Sequence, residues 1–261
     1  MLWNRTILCA AQLSLLAALG LLTSSVQAQN SDTKEKERLY TYVALWQVPR
    51  AKWAEYEKPV PANQKILDQG IADGTLLSYG DDFNLVHSAE GYTHDNWWAS
   101  GSEAGLMKIL TAFDKLPATS NGVMTAITKH EDAVLVSRHY GWRAGTYKDA
   151  YSHGSSYKLK PTAPDDAVDV LSKAVFDPVF EKLMADGTVV EYEVDEELIH
   201  TQAPDSFWVW YVTTTAEGLD KVNAAVRETI KANSLIGPAF DSMVDFTPHR
   251  DSLDMTNATF K

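Results

Sequence analysis

The sequence predicts an α+β fold in which one unit has been built twice. The first observation is an internal repeat: residues 66–113 align without a gap with residues 179–226. Within it, Ala72-Asp73-Gly74-Thr75 returns as Ala185-Asp186-Gly187-Thr188. The second observation is that strand and helix patterns follow the same order in both halves. A repeat of this length indicates a duplicated supersecondary unit.

The N-terminal residues 1–28 have the layout of a secretory signal peptide. Arg5 precedes an apolar run from Ile7 to Leu22, and Val26-Gln27-Ala28 is a small-x-small cleavage site. A membrane anchor is the alternative, but the run is short for a bilayer span and a cleavage-like site follows it. We therefore expect a secreted or periplasmic protein. Cys9 lies inside the run, so the mature chain would carry no disulfide.

The chain is acidic, with a formal net charge of −12. Nucleic acids and anionic lipids are bound by positive protein surfaces. We therefore expect no nucleic-acid partner, and no membrane contact after signal cleavage. A small-molecule ligand remains open as a partner.

Residues 29–38 are polar and are predicted to be a flexible leader, and residues 39–141 the first unit. Leu39 to Val48 is dense in β-forming residues and reads as the first strand. A proline-interrupted helical stretch follows, and Asp73-Gly74 turns into a second strand. The later elements are a third strand near His94 to Ser100, a helix capped by Ser102, and a fourth strand from Asp132 to Tyr140.

Residues 155–250 are predicted to repeat this order. Pro164-Asp165-Asp166 suits a helix start, because proline and acidic residues favour the first turn. Thr215 is predicted to cap the second helix of this unit. The strands are expected at Ser156–Lys160, Thr188–Thr201, Ser206–Thr213 and Met243–Arg250. Residues 142–154 are predicted to be a linker and residues 251–261 a C-terminal tail.

Each half thus has the βαββαβ order of the ferredoxin-like unit. A sheet covered by helices on one face must bury its other face, and the second copy is the economical partner. From Leu39 to about Arg250, the chain resembles the dimeric α+β barrel superfamily, in a form where both protomers are fused into one polypeptide. The resemblance implies two antiparallel sheets packed together as a pseudo-dimeric α+β barrel, and a monomer in solution.

The resemblance also limits the functions to be considered. Proteins similar in fold include cofactor-free monooxygenases, lactone isomerases and haem enzymes, but none of their catalytic motifs can be laid on this chain. It implies an exported small-molecule-binding protein or a cofactor-free acid–base enzyme. The alternatives are a non-catalytic structural or interaction module and a haem-binding protein.

The candidate ligand-binding residues are four histidines and an aspartate on strand faces that should point inward, together with aromatic residues of the first and third strands of the two units. They are His87, His139, His200, His249, Asp245, Trp46, Tyr42, Trp97 and Trp210. Histidine can act as a general base near neutral pH, and aromatic walls are usual in small-molecule sites. The alternative is that these residues are a hydrogen-bonded core. The halves differ at inward positions, with Leu135 against Asp245, which favours one asymmetric site.

Acidic pairs are the remaining candidates for chemistry. Asp81-Asp82 and Asp195-Glu196-Glu197 stand at expected strand bends. They could bind calcium weakly, but a solvated bend is the favoured interpretation. We therefore predict neither a metal nor a cofactor.

Overall fold

The computed structural model describes residues 36–88, 91–116, 123–199, 201 and 204–261. The predicted signal peptide and residues 29–35 of the predicted leader lie outside the described residues, as does His200. In the ranges given above, no helix combines the length and the apolar character needed to cross a bilayer.

Strands and helices alternate in the expected order. The strands are β1 (Leu39–Gln47), β2 (Ser78–Asn84), β3 (His94–Ser100), β4 (Lys129–Trp142), β5 (Gly145–Leu159), β6 (Val189–Ile199), β7 (Ser206–Thr213) and β8 (Val244–Phe260). The helices are α1 (Trp53–Tyr56), α2 (Pro61–Asp73), α3 (Glu103–Asp114), α4 (Ala167–Leu171), α5 (Asp177–Ala185), α6 (Ala216–Ala232) and α7 (Ile236–Met243). A π-helical turn, Ser172–Phe176, joins α4 to α5.

The eight strands form one closed antiparallel barrel, in the order β1-β3-β2-β8-β5-β7-β6-β4. Pairing of β4 with β1 completes the ring. The halves meet edge to edge, through β2 with β8 and β4 with β6. The expected α+β barrel is therefore present as a single continuous sheet.

Helices pack on the outer face of the barrel. In the second half, Phe180 of α5 and Val222 of α6 pack with Tyr192 and Val194 of β6. In the first half, Leu106 and Ile109 of α3 pack with Tyr42 of β1 and Trp98 of β3. Burying each such side chain contributes about 1.5–3 kcal/mol. These clusters decide which strand face points away from the interior.

The repeated Ala-Asp-Gly-Thr segment is a helix stop. Gly74 and Gly187 have φ of 78° and 82°, the left-handed conformation that follows a helix end. Asp73 Oδ1 and Asp186 Oδ1 each accept a hydrogen bond of 2.9 Å from the backbone N–H two residues later. The strongest identity in the repeat is therefore explained by local backbone geometry.

Two segments that were predicted to lie outside the barrel belong to its wall. Most of residues 142–154, predicted to be a linker, lies in β5, and most of residues 251–261, predicted to be a tail, lies in β8. These strands pair from Gly145↔Phe260 to Leu159↔Val244. Both predictions are wrong because polar residues occupy the inward positions, so the segments lack the apolar alternation of an ordinary strand.

Gly154 offers a test of the packing inside the barrel. It pairs with Trp210 across β5 and β7, and a Cβ there would lie 2.1 Å from Cζ3 of that ring. We expect Gly154→Ala to lower the free energy of unfolding by about 1–3 kcal/mol, because the indole must move. Urea denaturation measures this loss.

Gly237→Ala is the matched control, since nothing lies within 4 Å of a Cβ at that helical position. It should leave stability unchanged or raise it, because alanine favours a helix. Equal stability of Gly154→Ala and wild type would contradict the close approach of Trp210.

Candidate functional site in the barrel interior

A small cavity lies inside the barrel. The space open to the centres of water-sized spheres is about 50 Å³. At 10–15 Å³ for each water, this holds about three to five water molecules. Its walls include Trp97 of β3 and Trp210 of β7, together with Val43 of β1 and Val212 of β7.

Carboxyl groups dominate the polar part of the cavity wall. The five acidic residues that line it are Asp82, Asp95, Glu191, Glu193 and Asp195. Asp254 of β8 is buried as well, and its charge acts on Asp82 and Asp95. All six side chains are at most 7% exposed. Proteins rarely bury acids so completely without partners.

Strand alternation explains why β6 supplies three of these acids. Glu191, Glu193 and Asp195 occupy every second position. Tyr192 and Val194 stand between them and pack under the helices on the outer face. Since neighbouring side chains on a strand point to opposite faces, the acids point inward.

Burial raises the pKa of every one of these carboxyl groups. It is the largest cause for Glu193, whose pKa reaches about 7, and for Asp254, whose pKa reaches about 6. The pKa of Asp82 lies well above its ordinary value because of burial and then the charge of Asp254. Burial and the neighbouring Glu193 do the same to Asp195. Burial therefore favours the protonated form of each carboxyl group in the cluster.

Few protein groups satisfy these acids. Thr41 Oγ1 donates a hydrogen bond of 3.1 Å to Glu193 Oε2, which joins β1 to β6. In the part of the chain that the structure describes, Asp82 Oδ1, Asp195 Oδ1 and Asp254 Oδ1 are buried without a hydrogen-bond partner. An unsatisfied buried polar atom costs about 1–3 kcal/mol. Thr256 and Trp97 act on Asp82, Ser252 on Asp254, and Glu193 on Asp195. One oxygen of each aspartate nevertheless remains outside hydrogen-bond geometry and is open to a further donor.

The acids are not arranged as a chelating site. Over the described ranges, no group of three His, Cys, Asp or Glu side chains could hold a metal ion. The interpretation of Asp82 and Asp195 as parts of a solvated bend is nevertheless wrong, because both are buried. Barrel closure removes them from water.

Among the predicted site residues, Trp97 and Trp210 line the cavity. Tyr42 and Trp46 do not. Tyr42 stacks on Trp98 with ring centroids 4.3 Å apart, on the helix side of β1. Trp46 stacks on His130 at 3.7 Å. Both side chains lie on the outer face of β1, since Thr41 and Val43 face the cavity instead. Neither therefore contributes to this cavity.

The histidines do not converge on the cavity. His87 is exposed beyond the end of β2, with its ring 5.3 Å from that of Trp53. His249 stacks on Tyr157 at 4.6 Å, and its Nδ1 lies 2.8 Å from the Ser156 carbonyl oxygen. Asp245 accepts a hydrogen bond of 2.9 Å from the Thr247 backbone N–H. The predicted inward placement of His87 is wrong because β2 ends at Asn84, before this residue. That of Asp245 and His249 is wrong because a later part of β8, with Asp254, is the part that lies in the interior.

His139 is buried on the outer side of β4, between two aspartates. Its Nδ1 lies 2.7 Å from Asp177 Oδ2, and its Nε2 lies 3.0 Å from Asp169 Oδ1. A register shift between Ser137 and His139 changes the facing of the strand. Burial lowers the pKa of His139, but the hydrogen bonds and charges of both aspartates outweigh it and raise the net pKa.

The signal for the acidic interior was present in the sequence. Asp82 and Asp195 are equivalent positions of the repeat, as are Trp97 and Trp210. Glu191, Glu193 and Asp195 also show strict alternation with apolar residues. Such a pattern ordinarily indicates a solvated strand face, so only the closed barrel reveals that this face is internal.

Solved structures share this architecture over nearly their whole length. A proposed monooxygenase from Lactobacillus acidophilus NCFM matches with a TM-score of 0.62 at 13% identity, covering 86% of this chain and 97% of that one. A proposed monooxygenase from Fusobacterium nucleatum subsp. nucleatum ATCC 25586 matches with a TM-score of 0.60 at 8% identity, covering 87% and 95%. This chain has the dimeric α+β barrel fold.

An anthrone oxidase-like protein also shares the dimeric α+β barrel, with a TM-score of 0.52, 12% identity and coverage of 86% and 94%. No protein-family model and no curated protein matches the sequence. At these identities the likeness establishes the fold and transfers no residue role.

The buried acids predict a fall in stability with rising pH. The folded pKa of Glu193, about 7, lies above its ordinary value of 4.5. Its favourable contribution is therefore complete below about pH 4.5 and is lost as pH rises through 7. We expect a lower free energy of unfolding at pH 8 than at pH 5, measured by urea denaturation.

Glu193→Gln should flatten this dependence, because an amide does not titrate. The raised pKa of His139 also makes stability fall as pH rises. The Glu193→Gln variant therefore separates the contribution of the Glu193 carboxyl group from that of His139. Glu228→Gln, at an exposed helical position, should keep the wild-type slope. The same slope in Glu193→Gln and wild type would show that this carboxyl does not titrate in the interior.

The aspartates around His139 predict a shift in its titration. Asp177→Asn removes the closest carboxylate, so the effect of burial gains weight and the pKa of His139 should fall. NMR titration of the imidazole signals measures it. Asp241→Asn, at an exposed position, should have no effect. An unchanged pKa in Asp177→Asn would exclude the proposed ion pair.

Proposed function

We propose that this chain is an exported small-molecule-binding protein whose ligand lies inside the barrel. The observation that carries the proposal is the cavity lined by Trp97, Trp210 and buried carboxyl groups. Small-molecule sites combine aromatic and apolar walls with a few directed polar groups. Unpartnered oxygens of Asp82 and Asp195 supply such groups.

The same interior supports acid–base catalysis. Burial brings the pKa of Glu193 to about 7, and a general acid or base works best with a pKa near the working pH. Glu193 would take a proton from an acidic C–H or O–H group of a bound substrate. We propose a cofactor-free monooxygenase-like or isomerase-like reaction, with dioxygen as the oxidant in the first case. The proposed monooxygenases among the solved structures support the first of these classes.

Cavity size restricts the ligand. Sites for drug-sized molecules have volumes of about 300–1,000 Å³, whereas the cavity here has about 50 Å³. A porphyrin or a tricyclic anthrone does not fit it. Of the histidines that the structure describes, none lines the cavity. These residues therefore do not support the haem alternative.

The duplicated ferredoxin-like unit and the monomeric state belong to the same proposal. Strand order β4-β1-β3-β2 in the first half and β8-β5-β7-β6 in the second supports two copies of one unit. Both sheet edges of each half pair within the chain, which leaves no free edge for a partner sheet. Export is supported by the signal-like residues 1–28.

A metabolite thermal-shift screen tests binding inside the barrel. Val43→Phe adds bulk to the cavity wall, and Val86→Phe makes the same change at a side chain that is 68% exposed. An interior ligand should raise the melting temperature of wild type and Val86→Phe, but not of Val43→Phe. A ligand at a free concentration of 100 times its Kd raises the free energy of unfolding by about 2.7 kcal/mol.

Circular dichroism first establishes that Val43→Phe is folded. Ligands that stabilise all three proteins equally would place binding outside the cavity. A panel without any stabilising ligand would favour the non-catalytic module.

A further inference from the structure

We infer that the ligand of the barrel interior is a small organic ammonium ion, with its charged group on the carboxyl cluster and its alkyl part against Trp97 and Trp210. This inference rests on the proposed function, because it names the ligand class of the same site. It is carried by the charge, the unpartnered atoms and the aromatic walls of the cavity.

Charge is the first argument. Six carboxyl groups are buried together, and ion pairs in the described ranges involve other acids, such as Glu55, Asp73 and Asp169. Each interior acid must therefore stay protonated or receive a cation from outside. A buried charge is stable only when it is paired. An anionic ligand would meet repulsion here, and a neutral one would leave the cluster unpaired.

Unpartnered oxygen atoms are the second argument. Asp82 Oδ1 and Asp195 Oδ1 occupy equivalent positions of the repeat, line the cavity and lack a hydrogen-bond partner in the part of the chain described here. Their side chains are 6% and 1% exposed. An ammonium group has three N–H donors and no acceptor. It therefore complements ionised carboxyl groups without needing any donor from the protein.

The tryptophans are the third argument. Indole faces attract cations through the ring quadrupole and also pack against alkyl groups. Trp97 lies across Gly80, where a Cβ would stand 2.6 Å from the ring, and Trp210 lies across Gly154 in the same way. Both rings are held by glycines on neighbouring strands, so the aromatic walls exist before a ligand binds.

A metal ion is the competing cation. Calcium takes 6–8 oxygen ligands at about 2.3–2.6 Å. Within the ranges that the structure describes, no three candidate ligands are placed to hold a metal. Much of the remaining wall is apolar, with Val43, Leu135 and Val212. The interior therefore suits an ammonium ion with an alkyl group better than a bare divalent ion.

Three ligands of similar shape test the inference: propylammonium, 1-propanol and propionate. Calcium chloride is titrated as a fourth ligand, to test for a metal site. Isothermal titration calorimetry of the purified chain at pH 7.5 should detect propylammonium alone. Asp195→Asn should weaken its binding at least tenfold, because an amide replaces an anionic acceptor, and Val43→Phe should abolish it. Asp241→Asn should bind as wild type does. Asp82→Asn provides a second test at the equivalent position if Asp195→Asn fails to fold.

The outcomes separate this inference from the proposed function. Wild type could bind propanol or propionate but not propylammonium, and Val43→Phe could lose that binding. This result would overturn the inference of an ammonium ligand, while the interior would remain a ligand site. Binding of calcium chloride alone would replace it with a metal site. Propylammonium binding that survives both Asp195→Asn and Val43→Phe would place the cation outside the barrel and overturn the inference. No binding by any of the four would also overturn it, while the metabolite screen decides the proposed function.

Discussion

Closure of the barrel is the constraint on which the rest of this structure depends. Pairings of β2 with β8 and of β4 with β6 join the two half-sheets into one ring. In an open sheet, Glu191, Glu193 and Asp195 would face water at little cost. In the ring they are desolvated, and burial raises the pKa of each. An ordinary polar strand face thus becomes a cluster of acids whose ionised forms are costly unless a cation pairs with them.

Positions that correspond in the internal sequence repeat show both the symmetry and the asymmetry of this interior. Asp82 and Trp97 have exact counterparts in Asp195 and Trp210. Glu191 and Glu193, however, stand where the first half has Ser78 and Gly80. The second half therefore supplies most of the negative charge, while Gly80 makes room for the ring of Trp97.

A small, acidic, aromatic interior constrains function more than the fold does. The shared barrel is compatible with several reaction types, because function belongs to the site and not to the fold. Under the proposed function, the volume of about 50 Å³ would admit only small ligands, and the buried carboxyl groups would favour cations or groups that exchange protons. Ligand binding and acid–base chemistry would draw on the same residues.

Local patterns in the sequence were enough to predict the order of the elements, the helix N-caps and the Asp-Gly turns that lead into the second strand of each unit. Ser102 and Thr215 accept the expected hydrogen bonds from Gly105 N and Gly218 N, at 3.1 Å and 3.2 Å. Alternation along a strand also separates two faces, but it does not say which face is enclosed. Tyr42 and Trp46 are therefore reasonable aromatic candidates from the sequence, whereas helix packing holds them on the outer face of the barrel. Only long-range pairing of the strands decided that choice, since residues far apart in the chain form the wall that excludes water.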